Sequence, residues 1–319
     1  MPTQLNKMIR KPLDVALNEE RNWFFFVRRI PLTRLFRQMA PSMLVIGAYT
    51  FGIIYLQNAY IQFQFTISPT VHSLLGITLG LLLVIRTNTA YDRFWEGRKL
   101  AGALVNASRN LAMKLSALVP QASVQERQQV AALISSFAYC LKEHLRYGTS
   151  LEELTDLSEQ QRAALQQRSH RPNQLAHWLY QEVWKLRAVH LLETDQMLIL
   201  DKQLEQLTDI TGGCERILHT PLPAAYKLHL KIFIFLYIIT LPFSLMNDLI
   251  YFTVPIIMIV FYAMVGLEMI AEEIENPFGA DEHDIPMDEI CADIRTDVQE
   301  ILLPQPGPTD DPQPEKPGT

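Results

Sequence analysis

Between Arg37 and Arg86 the chain contains no Asp, Glu, Lys or Arg. A charge-free stretch of that length limits what can fold around it. Two apolar runs lie inside it, residues 43–60 and 71–85, and two more follow at residues 232–246 and 249–270, the last interrupted only by Glu268. A helix needs roughly 20 apolar residues to cross a bilayer, with about 17 as the lower limit. The fourth run meets that length alone. The second and third are short, and each carries a helix-disturbing feature, Gly76 and Gly80 in one and Pro242 in the other. Buried helices of a large soluble domain are the plain alternative.

Charge placement decides between the two. Arg28, Arg29, Arg34 and Arg37 precede the first run, Arg86, Arg93, Arg98 and Lys99 follow the second, and Lys227 and Lys231 precede the third. The linkers within the pairs, residues 57–70 and 247–251, contain no Lys or Arg. Positive charge marks the same side each time, as it does for cytosolic loops. The expectation is an all-α polytopic membrane protein with four transmembrane helices in two hairpins, both termini cytosolic. Tyr55, Tyr60, Tyr251 and Phe252 fall near the predicted outer interface, where aromatic rings anchor.

The remaining sequence divides around these hairpins. Residues 1–40 read as a cytosolic N-terminal segment with no cleavable signal, 41–99 as the first hairpin, and 100–225 as a helical cytosolic body. Residues 226–271 form the second hairpin, 272–303 a cytosolic C-terminal segment, and 304–319 a proline-rich tail predicted to be disordered. Mean hydropathy is only +0.06, which fits apolar spans joined to a polar body. In that body Ser123, three residues before Glu126, predicts a helix start. Residues 152–173, rich in Gln and Glu, read as a solvated excursion. Gly212-Gly213 reads as the C-cap of a helix over residues 195–211.

The net charge of −6 gives no basis for nucleic-acid binding. Cys140, Cys214 and Cys291 are odd in number and far apart, which disfavours disulfides and zinc sites. No phosphate loop, G-x-S-x-G or H-E-x-x-H occurs, and no cofactor is expected. The eight histidines are scattered and read as packing residues.

Ile77, Leu81 and Ile85 are four apart and share one helical face, with Gly76 and Gly80 beside them at G-x-x-x-G spacing. On periodicity alone that stripe is lipid-facing or packed; around an axis of copies it would be a pore neck that gates by dewetting.

Three segments carry a resemblance. Residues 73–100 (SLLGITLGLLLVIRTNTAYDRFWEGRKL), 212–226 (GGCERILHTPLPAAY) and 274–288 (IENPFGADEHDIPMD) resemble, in order and spacing, motifs of the bestrophin family, in particular its bacterial homologues. The likeness covers about residues 21–303. It implies a homopentameric ion channel in the inner (plasma) membrane, passing chloride or monovalent cations, with the anion preferred, and lined at its neck by Ile77, Leu81 and Ile85. It also implies a second cytosolic constriction placed by spacing at Leu192, while the G-x-x-x-G spacing of Gly76 and Gly80 is expected to pack helices closely at the neck, and the spans contact membrane lipid. Animal members bind calcium after Asn-Pro-Phe-Gly. Asn276, Asp281 and Asp284 match those positions here, but a solvated acidic turn of Asp281, Glu282, Asp284 and Asp288 capping the next helix is the preferred reading. A cation-selective relative, a non-conducting scaffold, and an enzyme using Cys214, Glu215 and His219 are the alternatives.

Overall fold

The structure is a computed structural model, described over residues 34–59, 67–148, 150–281 and 283–303. The N-terminal segment to residue 33, residues 60–66 of the first hairpin linker (Tyr60 included), Thr149, Glu282, and the proline-rich tail lie outside the described residues. All regular structure among the described residues is helical: α1 (Arg34–Ala59), α2 (Pro69–Leu118), α3 (Val124–Leu145), α4 (Glu159–Gln166), α5 (Arg171–Ala188), α6 (Thr194–His219), α7 (Ala224–Thr240), α8 (Pro242–Leu249), a 3-10 turn Ile250–Phe252, α9 (Thr253–Ile274) and α10 (Met287–Leu302). The chain divides into two compact units, residues 1–88 with 222–271 and residues 89–221 with 272–319. α2 is one unbroken helix of fifty residues.

The first unit holds the apolar runs. Three stretches, Arg34–Ala59, Pro69–Leu118 and Ala224–Ile274, are long and apolar enough to cross a membrane by length and composition. The third is broken where expected: Pro242 lacks a backbone N–H, so α7 stops at Thr240 and α8 restarts with Pro242 in its first turn. Leu79 and Leu83 of α2 pack with Leu230, Ile234 and Ile238 of α7 and Ile257 of α9. The two linkers that lack basic residues come together. Ile67 N–H donates to the Phe243 carbonyl at 3.1 Å, Gln57 Nε2 donates to Asn247 Oδ1 at 3.2 Å, and the Phe51 and Tyr251 rings are 6.1 Å apart. Residues of both linkers therefore lie at one end of this unit. Lys231 of α7 and the buried Glu268 of α9 approach to 3.8 Å.

In the second unit, α3 is the centre, packed by α10, α5 and α6. It begins at the predicted cap: Ser123 Oγ accepts from Glu126 N–H while Ser123 N–H donates to the Glu126 carboxylate at 2.8 Å. Two expectations fail here. Residues 152–173 are not a solvated excursion, because Leu154, Leu157 and Leu165 are buried in the core and the short α4 packs on α5. Nor does Gly212-Gly213 end a helix. α6 runs through both glycines to His219, and a Cβ on Gly213 would lie 2.9 Å from Leu100 Cδ2. That glycine allows close approach of α2, which is a packing role and not a stop.

Candidate ion pathway

Helix α2 is buried along one line. Leu79, Leu83, Arg86, Ala90, Gly97, Ala101, Leu104, Ser108, Leu111 and Leu115 are all enclosed and recur every three or four residues, except between Ala90 and Gly97, where the partly buried Arg93 and Phe94 continue the line. The opposite line is open. Ile77, Leu81 and Ile85 are 71%, 62% and 49% exposed. Further along the same open face come Asn88, Tyr91 and Asp92. An exposed apolar stripe thus passes into a polar one at the end of the hydrophobic stretch.

The two glycines beside the stripe behave differently. A Cβ on Gly76 would meet Tyr237 Oη at 2.8 Å, so Gly76 seats α7 of its own chain. At Gly80 a Cβ would meet nothing within 4 Å, leaving that position open in the protomer. His72 is a packing residue, its Nε2 3.1 Å from Thr240 Oγ1 and its ring 5.3 Å from that of Tyr237. Leu192 does not fit a constriction. It is 4% exposed inside the core of the second unit, whereas Leu198 and Ile199 on the first turns of α6 are exposed. A side chain enclosed by its own protomer cannot line a pore, and spacing alone could not reveal which side of that segment faces inward.

The three motifs converge in the second unit. Arg93 of α2 donates to the carbonyls of Ile217 (2.7 Å) and Thr220 at the end of α6 and to that of Glu275 (3.1 Å). It places a cation where the helix dipole and unpaired carbonyls favour one. Arg216 reaches Glu96 at 2.6 Å. A Cβ on Gly97 would lie 2.9 Å from Pro277 Cγ, and one on Gly279 would collide with the Asp284 carboxylate. Sequence inspection marks these motifs as blocks; their glycines are there because the blocks touch one another.

The acidic turn is more than solvated. Asp288 Oδ1 accepts from the enclosed Lys142 ammonium at 2.8 Å and Oδ2 from Arg146 at 3.0 Å, and Lys142 also pairs with Glu153. The Lys142 hydrogen bond, joined by Arg146, holds the Asp288 carboxyl below its ordinary range despite partial desolvation. The expected side-chain cap is not formed, since the N-cap of α10 is Pro286. For calcium, Asn276, Asp281 and Asp284 are a poor cradle. Asp284 Oδ2 already accepts from Asp281 N–H at 2.7 Å, and Arg146 Nε occupies the carbonyls of Phe278 (3.2 Å) and Gly279 (3.0 Å). A guanidinium on the loop's carbonyl oxygens opposes a cation that needs six or more oxygen ligands.

The enzyme constellation does not assemble. Burial pushes the Cys214 thiol up to about 12, and Glu215 is bonded to His144 and His170 rather than to His219. That grouping, from three separate helices, was invisible in the sequence because no short spacing links its members.

A sequence model of the Bacterial/Fungal Bestrophin protein family matches residues 16–300. The chain belongs to the bestrophin family. Among similar relatives are voltage-dependent anion channel-forming proteins of Nostoc sp. (40% identical, covering 71% of this chain and 75% of the relative), Synechocystis sp. (35%; 83% and 87%) and Escherichia coli K12 (YneE, 32%; 83% and 86%). Among solved structures, a bacterial bestrophin homologue from Klebsiella pneumoniae superposes with a TM-score of 0.79 at 28% identity, covering 83% of this chain and 98% of that one. A single-site variant of it gives 0.79 at 27% identity, covering 83% and 99%. The bestrophin motifs at residues 73–100, 212–226 and 274–288 all fall inside the matched region.

Proposed function

We infer that this bestrophin forms a passive anion channel, a homopentamer in the inner (plasma) membrane with four spans per chain and cytosolic termini. The relatives' names as voltage-dependent anion channel-forming proteins support anion conduction, and membership of the bestrophin family supports the oligomer. The observation that carries the pore assignment is the open line of α2. An apolar stripe at Ile77, Leu81 and Ile85 is 71%, 62% and 49% exposed among the described residues and is followed along the same helix by Asn88 and Asp92. Five such helices around an axis enclose a narrow apolar neck that opens into a polar vestibule. A neck without charge passes ions by the cost of dehydration and cannot select sign by itself, so the vestibules must supply the preference. The acidic turn serves as a structural clasp and calcium has no part in conduction.

The test is flux from proteoliposomes holding the purified chain. Chloride release under a potassium-clamped gradient is the expected result. Cation flux without chloride flux would make the chain a cation-selective bestrophin, and no flux under any gradient would favour a scaffold.

A further inference from the structure

His144, His170 and Glu215 come from three helices of the second unit: the last turn of α3, the N-cap of α5 and the penultimate turn of α6. Glu215 Oε1 lies 2.6 Å from His144 Nε2 and 2.8 Å from His170 Nε2, and the two imidazole rings are tilted by 31° with centroids 4.8 Å apart. One ligand atom from each residue falls within 4.8 Å of the others, and no other such grouping of three His, Cys, Asp or Glu side chains exists among the described residues. All three are half-buried. Beside them is a cavity of about 240 Å³ whose walls include His144, Glu143, Tyr147, Ser169, Arg171 and His219. His219 is one helical turn beyond Glu215 on α6, so it rises on the same side.

We propose that His144, His170 and Glu215 form a binding site for a divalent transition-metal ion of the zinc class, its fourth position open to the adjacent cavity. Two imidazole nitrogens and one carboxylate oxygen are the donor set that such ions take when they keep a position for water. Without the ion, protons hold the same three groups together. Binding requires each Nε2 to present a lone pair to the metal, so its proton must sit on Nδ1 instead. At His170 the exchange also gives up a long cap contact. Nδ1 now accepts from Asn173 N–H at 3.3 Å, and a metal-bound imidazole carries its proton on Nδ1. The ion would staple α3, α5 and α6 at the end of α6 that Arg93 also holds, so occupancy bears on the rigidity of the second unit. The charged neighbours are mixed: Glu143 favours a cation and Arg171 opposes it.

The experiment uses the full purified chain in detergent, stripped with chelator and then titrated with zinc chloride. Bound metal is measured by elemental analysis after desalting, together with the melting temperature. One zinc per chain and a raised melting temperature are expected for the wild type. His170→Asn keeps an N-cap residue and Glu215→Gln keeps a hydrogen-bonding group, so both should fold; each should lose the bound zinc and the thermal shift. His177→Ala, an exposed position elsewhere on α5, should keep both. If His170→Asn and Glu215→Gln elute as the wild type does and still bind one zinc, or if the wild type binds none, the site does not exist.

Discussion

Gly97 of α2 and Pro277 of the Asn-Pro-Phe-Gly segment are packed so closely that a Cβ on the glycine would sit 2.9 Å from Pro277 Cγ and 3.2 Å from Ile285 Cδ1. The proline ring is rigid and cannot turn aside as a long side chain would. Gly97→Ala is therefore expected to cost about 1–3 kcal/mol by overpacking. Gly102, with nothing within 4 Å of its added Cβ, is the control. There the same change should be neutral or stabilise by up to about 1 kcal/mol, the helix-propensity gain. Thermal melts of both variants read the difference.

Arg93 holds three carbonyls with one fork, those of Ile217, Thr220 and Glu275. Lysine retains the charge and lacks the planar donor set. Arg93→Lys should lose roughly 3 kcal/mol of stability, since hydrogen bonds to charged groups are each worth about 1.5–3 kcal/mol, lysine keeps one of the three, and partial exposure holds the two lost ones to the low end. Denaturant unfolding of the two proteins measures this. An unchanged midpoint would show that the α6 terminus is held by other groups.

The Lys142–Asp288 pair gives the molecule a pH dependence at both ends. Asp288 is held below its ordinary value of 3.8, chiefly by the Lys142 hydrogen bond. Its contribution is present above that value and is lost as pH falls through the lower folded one. For Lys142, burial opposes the charge, but hydrogen bonds from the ammonium to Asp288 and Glu153 outweigh it and raise the pKa above 10.5. That contribution is present below 10.5 and is lost as pH rises through the higher folded value. Asp288→Asn should flatten the acid limb of a melting-temperature profile. Lys142→Met should remove the alkaline dependence of this cluster. The lysine is 2% exposed while Glu153 and Asp288 are 47% and 59% exposed, so screening holds the expected loss for Lys142→Ala to roughly 1–3 kcal/mol.

Gly76 and Gly80 separate intrachain from interchain packing. Gly76→Ala presses on Tyr237 Oη at 2.8 Å and should lower the melting temperature slightly, since a ring tip can shift. Gly80 faces open space in the protomer. Gly80→Leu should therefore leave the protomer's helicity intact and weaken the oligomer, read by circular dichroism and by light scattering of the detergent complex. Full-size assemblies of Gly80→Leu would place that face against lipid.

Much of this fold could be read from local signals. The hairpins follow from the basic residues that flank the apolar runs. Ser123 and Glu126 mark a helix start because capping is a contact between neighbours in sequence, and Pro242 breaks a helix because it lacks a donor. What failed depended on distant contacts. Gly212-Gly213 has the composition of a helix stop, but the approach of Leu100, more than a hundred positions away, gives Gly213 a different purpose. Leu154, Leu157 and Leu165 are diluted among Gln and Glu, so their joint burial is not visible as periodicity. Leu192 was placed by spacing, which carries no information about the direction of a side chain near a helix start. The stripe at Ile77, Leu81 and Ile85 was legible, but its role as a pore lining rests on copies of the chain.

The central claim is that this stripe lines the pore. Planar-bilayer recordings under asymmetric potassium chloride should show a reversal potential near that of chloride for the wild type. Ile77→Ala/Leu81→Ala/Ile85→Ala should raise the unitary conductance several-fold by widening the apolar neck, with the reversal potential keeping its sign. A triple variant that assembles and conducts as the wild type does would contradict the assignment.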